Sequence, residues 1–528
     1  MKKLVFASVF MMFLTSYGFC YVDKYPIRWG KITESEFEIK SFQGDTSVPA
    51  IILCDFGDIK ITNRTFYTRH VRIKILRESG LKYANIEIPY KAWNKHDDIV
   101  ELKAQAYNLE NGKIVKYKTK YSDIADVKVD NKWREKIINI AGARPGSIIE
   151  YYYTIASLDF MKLDDWYFQS AIPCLWSEVR IDVPEPFIYL VTYQKGKPLS
   201  PDEELLFAKD LEWLYNTKRM KRRIELAERN HVLYESPDKN YRVYVINDMK
   251  KKIIMKNMPG VESVKGYISI KDYYPKLRFQ LFESSGRLPW IFRPLIYTTL
   301  DDYETSTRWE LYHSFRKTGY VHYKLDTWPE MNEKMLESDR FGMQLLKHID
   351  YIPVFDSILP GKNSARDKMI AVYDFVRTSI TWNKQYTVYL DNGLAKPFDK
   401  KEGTSSEINM IMVYLLKRAG LDVYPVLLRT NDLGMPETVY PAHNQFNHVI
   451  AMVKIGGETY LLDAIDADRP YNILPEKDLY TKGWIVSKDD YGWLNLFPSK
   501  TVSPGTDVGA HMLTLSILPI APAVPKPM

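Results

Sequence analysis

Cysteine is scarce in this chain, whose 528 residues hold three, at Cys20, Cys54 and Cys174. That supply permits at most one disulfide and excludes a cysteine-built metal cluster. Long apolar runs are also missing. Past Cys20 no stretch reaches the roughly 18 consecutive apolar residues of a membrane-spanning helix, so no transmembrane helix is expected in the mature chain. Phosphate-cradling glycine loops, zinc-ligand spacings and short-period repeats are absent as well, and the sequence calls for no cofactor and no metal. Nor is there a strong excess of one charge. The net charge of +7, from 73 basic and 66 acidic residues, indicates no nucleic-acid partner. The densest basic run, Lys218, Arg219, Lys221, Arg222 and Arg223, reads as a solvated face.

What is present is a globular composition, 45% hydrophobic and 14% aromatic, with length enough for two or three domains. The opening MKKLVFASVFMMFLTSYGFC has two lysines, an apolar run and small residues at Ser16 and Gly18, the pattern of a signal peptide spanning 1–18. Export to the periplasm or cell surface follows. Cys20 raises a lipoprotein alternative, against which Phe19 stands, because the position before a lipidated cysteine takes a small residue.

Residues 22–280 are dominated by β patterns such as HVRIKIL, YANIEIPY, SIIEYYYTIA, VRIDVP, IYLVTYQ and YRVYVI. Alternating apolar residues broken by Gly, Pro, Asn and Asp, with no long helix between them, predict an antiparallel β-sandwich or a pair of them. Trp166, Tyr167, Phe168 and Trp176 are expected in its core. A mixed connecting region, 281–365, carries two segments read as helices, TSTRWELYHSFRKTGY and RFGMQLLKHID. Residues 366–486 form a separate α/β core opened by the helix ARDKMIAVYDFVRTSI, and 487–528 an irregular tail ending in a Pro/Ala-rich segment.

Within that core, GTSSEINMIMVYLLKRAGLDVYPVLLRT begins with a capping box, Thr404 and Glu407, that sets Ser405 in the first turn of a helix. Ile408, Ile411, Met412, Leu415, Leu416 and Ala419 form one apolar stripe, so the helix is buried. Lys417 and Arg418 suit its negative end and Gly420 its C-cap. A strand, VYPVLLRT, follows. Gly456-Gly457 then suits a two-residue primed turn between FNHVIAMVKI and ETYLLDA. With those glycines as the loop, Ile455 faces Glu458 and Ile450 faces Asp463. His448 lies two residues further on the same sheet face, diagonal to Asp463 and roughly 7–8 Å away at Cα.

A side chain at a helix start, a histidine on one strand and an aspartate on the next have the order of a Cys-His-Asp triad. The segment resembles the transglutaminase-like, papain-related core, in which a Gly-x-Cys helix start precedes a His strand and an Asp strand. The resemblance implies that Ser405 stands at the nucleophile position, His448 at the base position and Asp463 at the orienting position. Trp382, about twenty residues before Ser405, falls where related cores line the cleft. The departure is a hydroxyl in place of the thiol. The family's chemistry uses a thiolate, which a helix N-terminus and a histidine can draw from a thiol of pKa about 8.5; a serine must instead lose its proton during attack.

The β-rich half also resembles an exported family called domain of unknown function 3857. The pieces are VPAIILCDFGDI, RHVRIKIL with GLKYANIEIPY, KAQAYNLENGKIVK, RPGSIIEYYYTIASLDFMKLDDWYFQSAIP and VRIDVPEPFIYLV, over 48–191. In that family the domain commonly precedes a transglutaminase-like core. Together the resemblances imply a catalytically inactive transglutaminase-like protein of the cell envelope that binds or scaffolds peptide, protein or glycan. The alternative is a serine acyl-transfer enzyme or hydrolase built on Ser405, His448 and Asp463.

Overall fold

The computed structural model describes residues 25–497 except 130–132, 161, 195–231, 236–240, 262–273, 288–319, 325, 348, 350–354, 439–440 and 442–444. The expected signal peptide with Cys20, the basic run at 218–223, residues 305–319 of the first expected connecting helix and most of the tail lie outside them. No helix among the described residues is long and apolar enough to cross a membrane.

The strand Ala50–Ile61 is buried along nearly its whole length. Ile51 and Leu53 pack with Phe42, Tyr107 and Ile148, whereas Ala50 and Ile52 pack with Val71, Ile73 and Ile149. A strand covered on both faces needs apolar residues at consecutive positions, which the run AIILC supplies. It centres an 11-stranded sheet ordered Val232–Glu235, Tyr241–Met258, Cys174–Gln194, Ala50–Ile61, Thr65–Ile75, Ile148–Ser157, Asp97–Glu110 and Lys113–Lys118. Lys276–Arg287 branches off Cys174–Gln194 and also pairs with Lys162–Tyr167 and Tyr320–Lys324. A separate three-stranded sheet joins Asn85–Lys91, Trp133–Asn139 and Ala125–Lys128.

Two sequence expectations change here. Separate antiparallel sheets were expected; YANIEIPY does lie in the separate three-stranded sheet, but the other quoted strands share one branched sheet. Moreover, Ala50–Ile61 runs parallel to Cys174–Gln194, with Asp55 opposite Ser177. The cause is the long strand Cys174–Gln194, which takes up both VRIDVP and IYLVTYQ and pairs with three others. Trp166 and Phe168 are buried as expected. Trp176 is half-buried, its indole donating to Glu178 at 2.9 Å beneath the Lys256 ammonium. Cys54 and Cys174 are free thiols buried in this sheet. Burial pushes Cys174 up to about 12, which disfavours the thiolate that a nucleophile needs.

The second sheet is five-stranded and antiparallel, ordered Glu458–Leu462, His448–Ile455, Asp422–Leu428, Lys482–Ile485 and Gly492–Asn495. Strand alternation divides its side chains. Val449, Ala451 and Val453 pack with the helices Ser405–Arg418 and Ala365–Ser379, while Ile450, Met452 and Leu461 join Val426, Leu474 and Leu494 in a second cluster. The helix Ser405–Arg418 is buried from Ser405 to Leu416, more completely than a single stripe requires.

Elements on either side of 366–486 pack against this unit. The helix Trp328–Glu337 contributes Trp328, Met331 and Met335 to its core, with Trp328 stacked on Trp484 at 4.6 Å. The fifth strand, Gly492–Asn495, extends it beyond Val486. Among its described residues RFGMQLLKHID forms a short 3-10 helix, Gly342–Leu346, in which Gly342 lies against Leu336; an added Cβ there would meet the Leu336 backbone oxygen at 2.1 Å.

Candidate functional site

The three sequence-derived positions converge on buried ground. Thr404 caps the helix by accepting from the Glu407 amide, and the Thr404 amide donates to the Glu407 carboxylate at 2.9 Å. Ser405 therefore opens the first turn, fully buried. Both glycines of the turn have positive φ, 58° at Gly456 and 87° at Gly457, as a type I′ hairpin requires. That turn sets Ile455 opposite Glu458 and Ala451 opposite Leu462. Asp463 follows directly after the ladder, and His448 begins its strand.

His448 and Asp463 meet. His448 Nε2 lies 3.2 Å from Asp463 Oδ2, both side chains fully enclosed. Asn409, one turn after Ser405 on the same helix face, holds the aspartate in place. Its Nδ2 donates to Asp463 Oδ1 at 2.7 Å and to the Val449 carbonyl at 2.8 Å, and its Oδ1 accepts from the Ala464 amide at 2.9 Å. The Ile465 amide also donates to Asp463 Oδ1. Burial opposes charge on Asp463, but the neighbouring His448 and these hydrogen bonds hold its carboxyl below the ordinary range.

Ser405 is not hydrogen-bonded to this pair. Its Oγ accepts from the Thr387 amide at 3.0 Å and donates to the Thr387 carbonyl at 3.4 Å. His448 Nδ1 has no hydrogen-bond partner among the described residues. The Tyr386 ring stands edge-on to the imidazole at 5.0 Å, and Trp382 in turn packs on Tyr386. The Trp382 indole donates to the Gln385 carbonyl at 3.0 Å, so its N–H is already engaged.

The sequence reading missed two residues. Asn409 carried a faint signal as an amide inside an otherwise apolar buried helix. Asp478, in a 3-10 turn at Glu476–Asp478, carried none. Its Oδ1 lies 3.6 Å from His448 Nε2, the residue is fully buried, and neither carboxylate oxygen has a hydrogen-bond donor among the described residues. Burial and the adjacent Asp463 carboxylate push Asp478 well above the usual carboxylate range. His448, Asp463 and Asp478 thus each bring an atom that could ligate a metal, all within 4.8 Å of one another.

Residues 62–218 match the family described as a Domain of Unknown Function with solved-structure structure, DUF3857. No curated protein matches the chain. Among solved structures, a candidate protease from Parabacteroides distasonis is 13% identical, covering 83% of this chain and 70% of its own, with a TM-score of 0.48. Native yeast LTA4 hydrolase is 11% identical over 54% of this chain and 38% of its own, with a TM-score of 0.18. That match falls within the β-rich part of the chain and covers less than half of its length.

Proposed function

We propose that the C-terminal unit is a transglutaminase-like core without a working nucleophile, serving an exported protein as a binding or scaffolding module for peptide or glycan. One observation carries this reading: the Ser405 hydroxyl accepts from the Thr387 amide and donates to the Thr387 carbonyl, and no hydrogen bond joins it to His448 among the described residues. General-base activation of a hydroxyl needs the base at roughly 2.6–3.2 Å from the oxygen. The helix start stabilises an anion by only about 0.3–1 kcal/mol, up to about 2 when partly buried, far short of making serine an alkoxide.

The serine-enzyme alternative draws support from the unpartnered Nδ1 of His448, the nitrogen a general base would use while Asp463 holds Nε2. Labelling of the purified protein with a fluorophosphonate, read by mass spectrometry at Ser405, separates the two. We expect no labelling and no amine incorporation into glutamine substrates. Stoichiometric labelling lost in both Ser405→Ala and His448→Ala would overturn the proposal in favour of a serine acyl-transfer enzyme.

A further inference from the structure

We propose that His448, Asp463 and Asp478 form a binding site for one divalent metal ion of tetrahedral preference, with zinc as the best fit. The proposal concerns three buried side chains whose arrangement does not depend on whether Ser405 reacts.

Geometry comes first. Zinc binds nitrogen and oxygen at about 2.0–2.2 Å, so two ligands of one tetrahedral ion sit about 3.3–3.6 Å apart. His448 Nε2 lies 3.2 Å from Asp463 Oδ2 and 3.6 Å from Asp478 Oδ1. An octahedral magnesium ion, with ligands at about 2.1 Å, would bring neighbouring ligands to about 3.0 Å and retains several waters. The 3.6 Å separation falls in the tetrahedral range and the 3.2 Å one just short of it, with all three ligand atoms within 4.8 Å of one another. A histidine with two carboxylates is also a ligand set zinc accepts, leaving a fourth position for water or a ligand group.

Charge is the second argument. Metal ligation takes both carboxylates ionised and the imidazole unprotonated, and in that form the enclosed group carries a formal charge of −2, which is costly to bury uncompensated. A divalent cation cancels that charge.

The independent observation is the Asp478 side chain. It is fully buried beside the His448–Asp463 pair, yet no donor among the described residues reaches either oxygen. Buried carboxylates almost always have partners. A metal supplies one here, and the supporting shell exists on the Asp463 side, where Asn409 Nδ2 and the Ile465 amide fix Oδ1 and leave Oδ2 toward the histidine.

The competing account is that Asp478 carries a proton and donates it to Asp463. The two make opposite predictions. Full-length mature protein is stripped with a chelator and titrated with zinc chloride, while calorimetry and metal analysis report stoichiometry and a thermal melt reports stability. We expect one zinc per chain, a rise in melting temperature with zinc, and at least about a tenfold loss of affinity in Asp478→Asn. That amide can still donate to Asp463, so the variant keeps the contact of the protonated acid. Ser405→Ala should bind zinc as the wild type does. Cobalt substitution provides a second readout, since a tetrahedral site gives an intense visible spectrum that Asp478→Asn should abolish. Substoichiometric zinc in the wild type with no shift in melting temperature, or equal zinc affinity in Asp478→Asn, overturns the site. Neither result alters fluorophosphonate labelling at Ser405, so failure of the metal site and failure of the pseudoenzyme reading remain distinguishable.

Discussion

At the scale of single residues, buried polar groups decide what this protein tolerates. Glu150 is fully buried in the large sheet, where it accepts from Arg72 at 2.7 Å, His70 at 3.0 Å and the Gly30 amide at 3.0 Å, with the Tyr107 hydroxyl as a further donor. Burial raises its proton affinity, but the His70 hydrogen bond and the Arg72 charge outweigh it and bring the carboxyl from 4.5 down to about 2. A depressed folded-state value stabilises the fold above the unfolded value, and that contribution disappears as pH falls from about 4.5 toward 2. The contribution at neutral pH is roughly 3 kcal/mol. Glu150→Gln should lower stability at pH 7 by that order and flatten the loss of stability below about pH 4.5, as measured by denaturant unfolding across pH. An unchanged acid limb in the variant would assign the acid sensitivity elsewhere.

At the scale of elements, the helix Ser405–Arg418 and the histidine hairpin are joined through one amide. Asn409 bonds to Val449, Asp463 and Ala464, which lie on or just beyond the two strands of that hairpin. Removal of the amide leaves a carbonyl, an N–H and a carboxylate oxygen short of a partner in a dry interior, at about 1–3 kcal/mol for each neutral group. Asn409→Ala should therefore destabilise the C-terminal unit by about 3 kcal/mol or more. Hydrogen exchange should show the loss concentrated at Val449 to Ala464. Asn409→Asp should be worse, because it sets a further carboxylate against Asp463.

At the scale of the whole molecule, the domain limits follow hydrogen-bonded strands and not changes in composition. Lys276–Arg287 continues past Gln280, with buried Leu281 opposite Tyr189, and then pairs with Tyr320–Lys324. A fragment ending at Gln280 cuts that strand and uncovers the cluster holding Leu277, Tyr189 and Phe187. It should aggregate or melt without cooperativity, whereas a fragment continued through Lys324 should melt in one transition by calorimetry. Equal cooperativity of the two would show the branch strand to be dispensable. Arg278 of this strand also donates to the Met435 carbonyl and lies 3.5 Å from Glu437, so the same segment touches the loop before the histidine strand.

Sequence alone determined the features set by near neighbours. The Thr404–Glu407 cap, the buried stripe from Ile408 to Leu416, the Gly420 terminus and the Gly456-Gly457 turn all depend on residues within a few positions of each other. The turn carries register with it, so the juxtaposition of His448 and Asp463 could be counted outward from two glycines. Tertiary structure decided what no local period encodes. Thr387, eighteen positions before Ser405, occupies its hydroxyl. Asp478 reaches His448 from a short turn with no periodic pattern. The parallel pairing of Ala50–Ile61 with Cys174–Gln194 joins segments more than a hundred residues apart. Periodicity reports which face of an element is apolar, but the distant polar groups that meet a given side chain are chosen by how those faces pack.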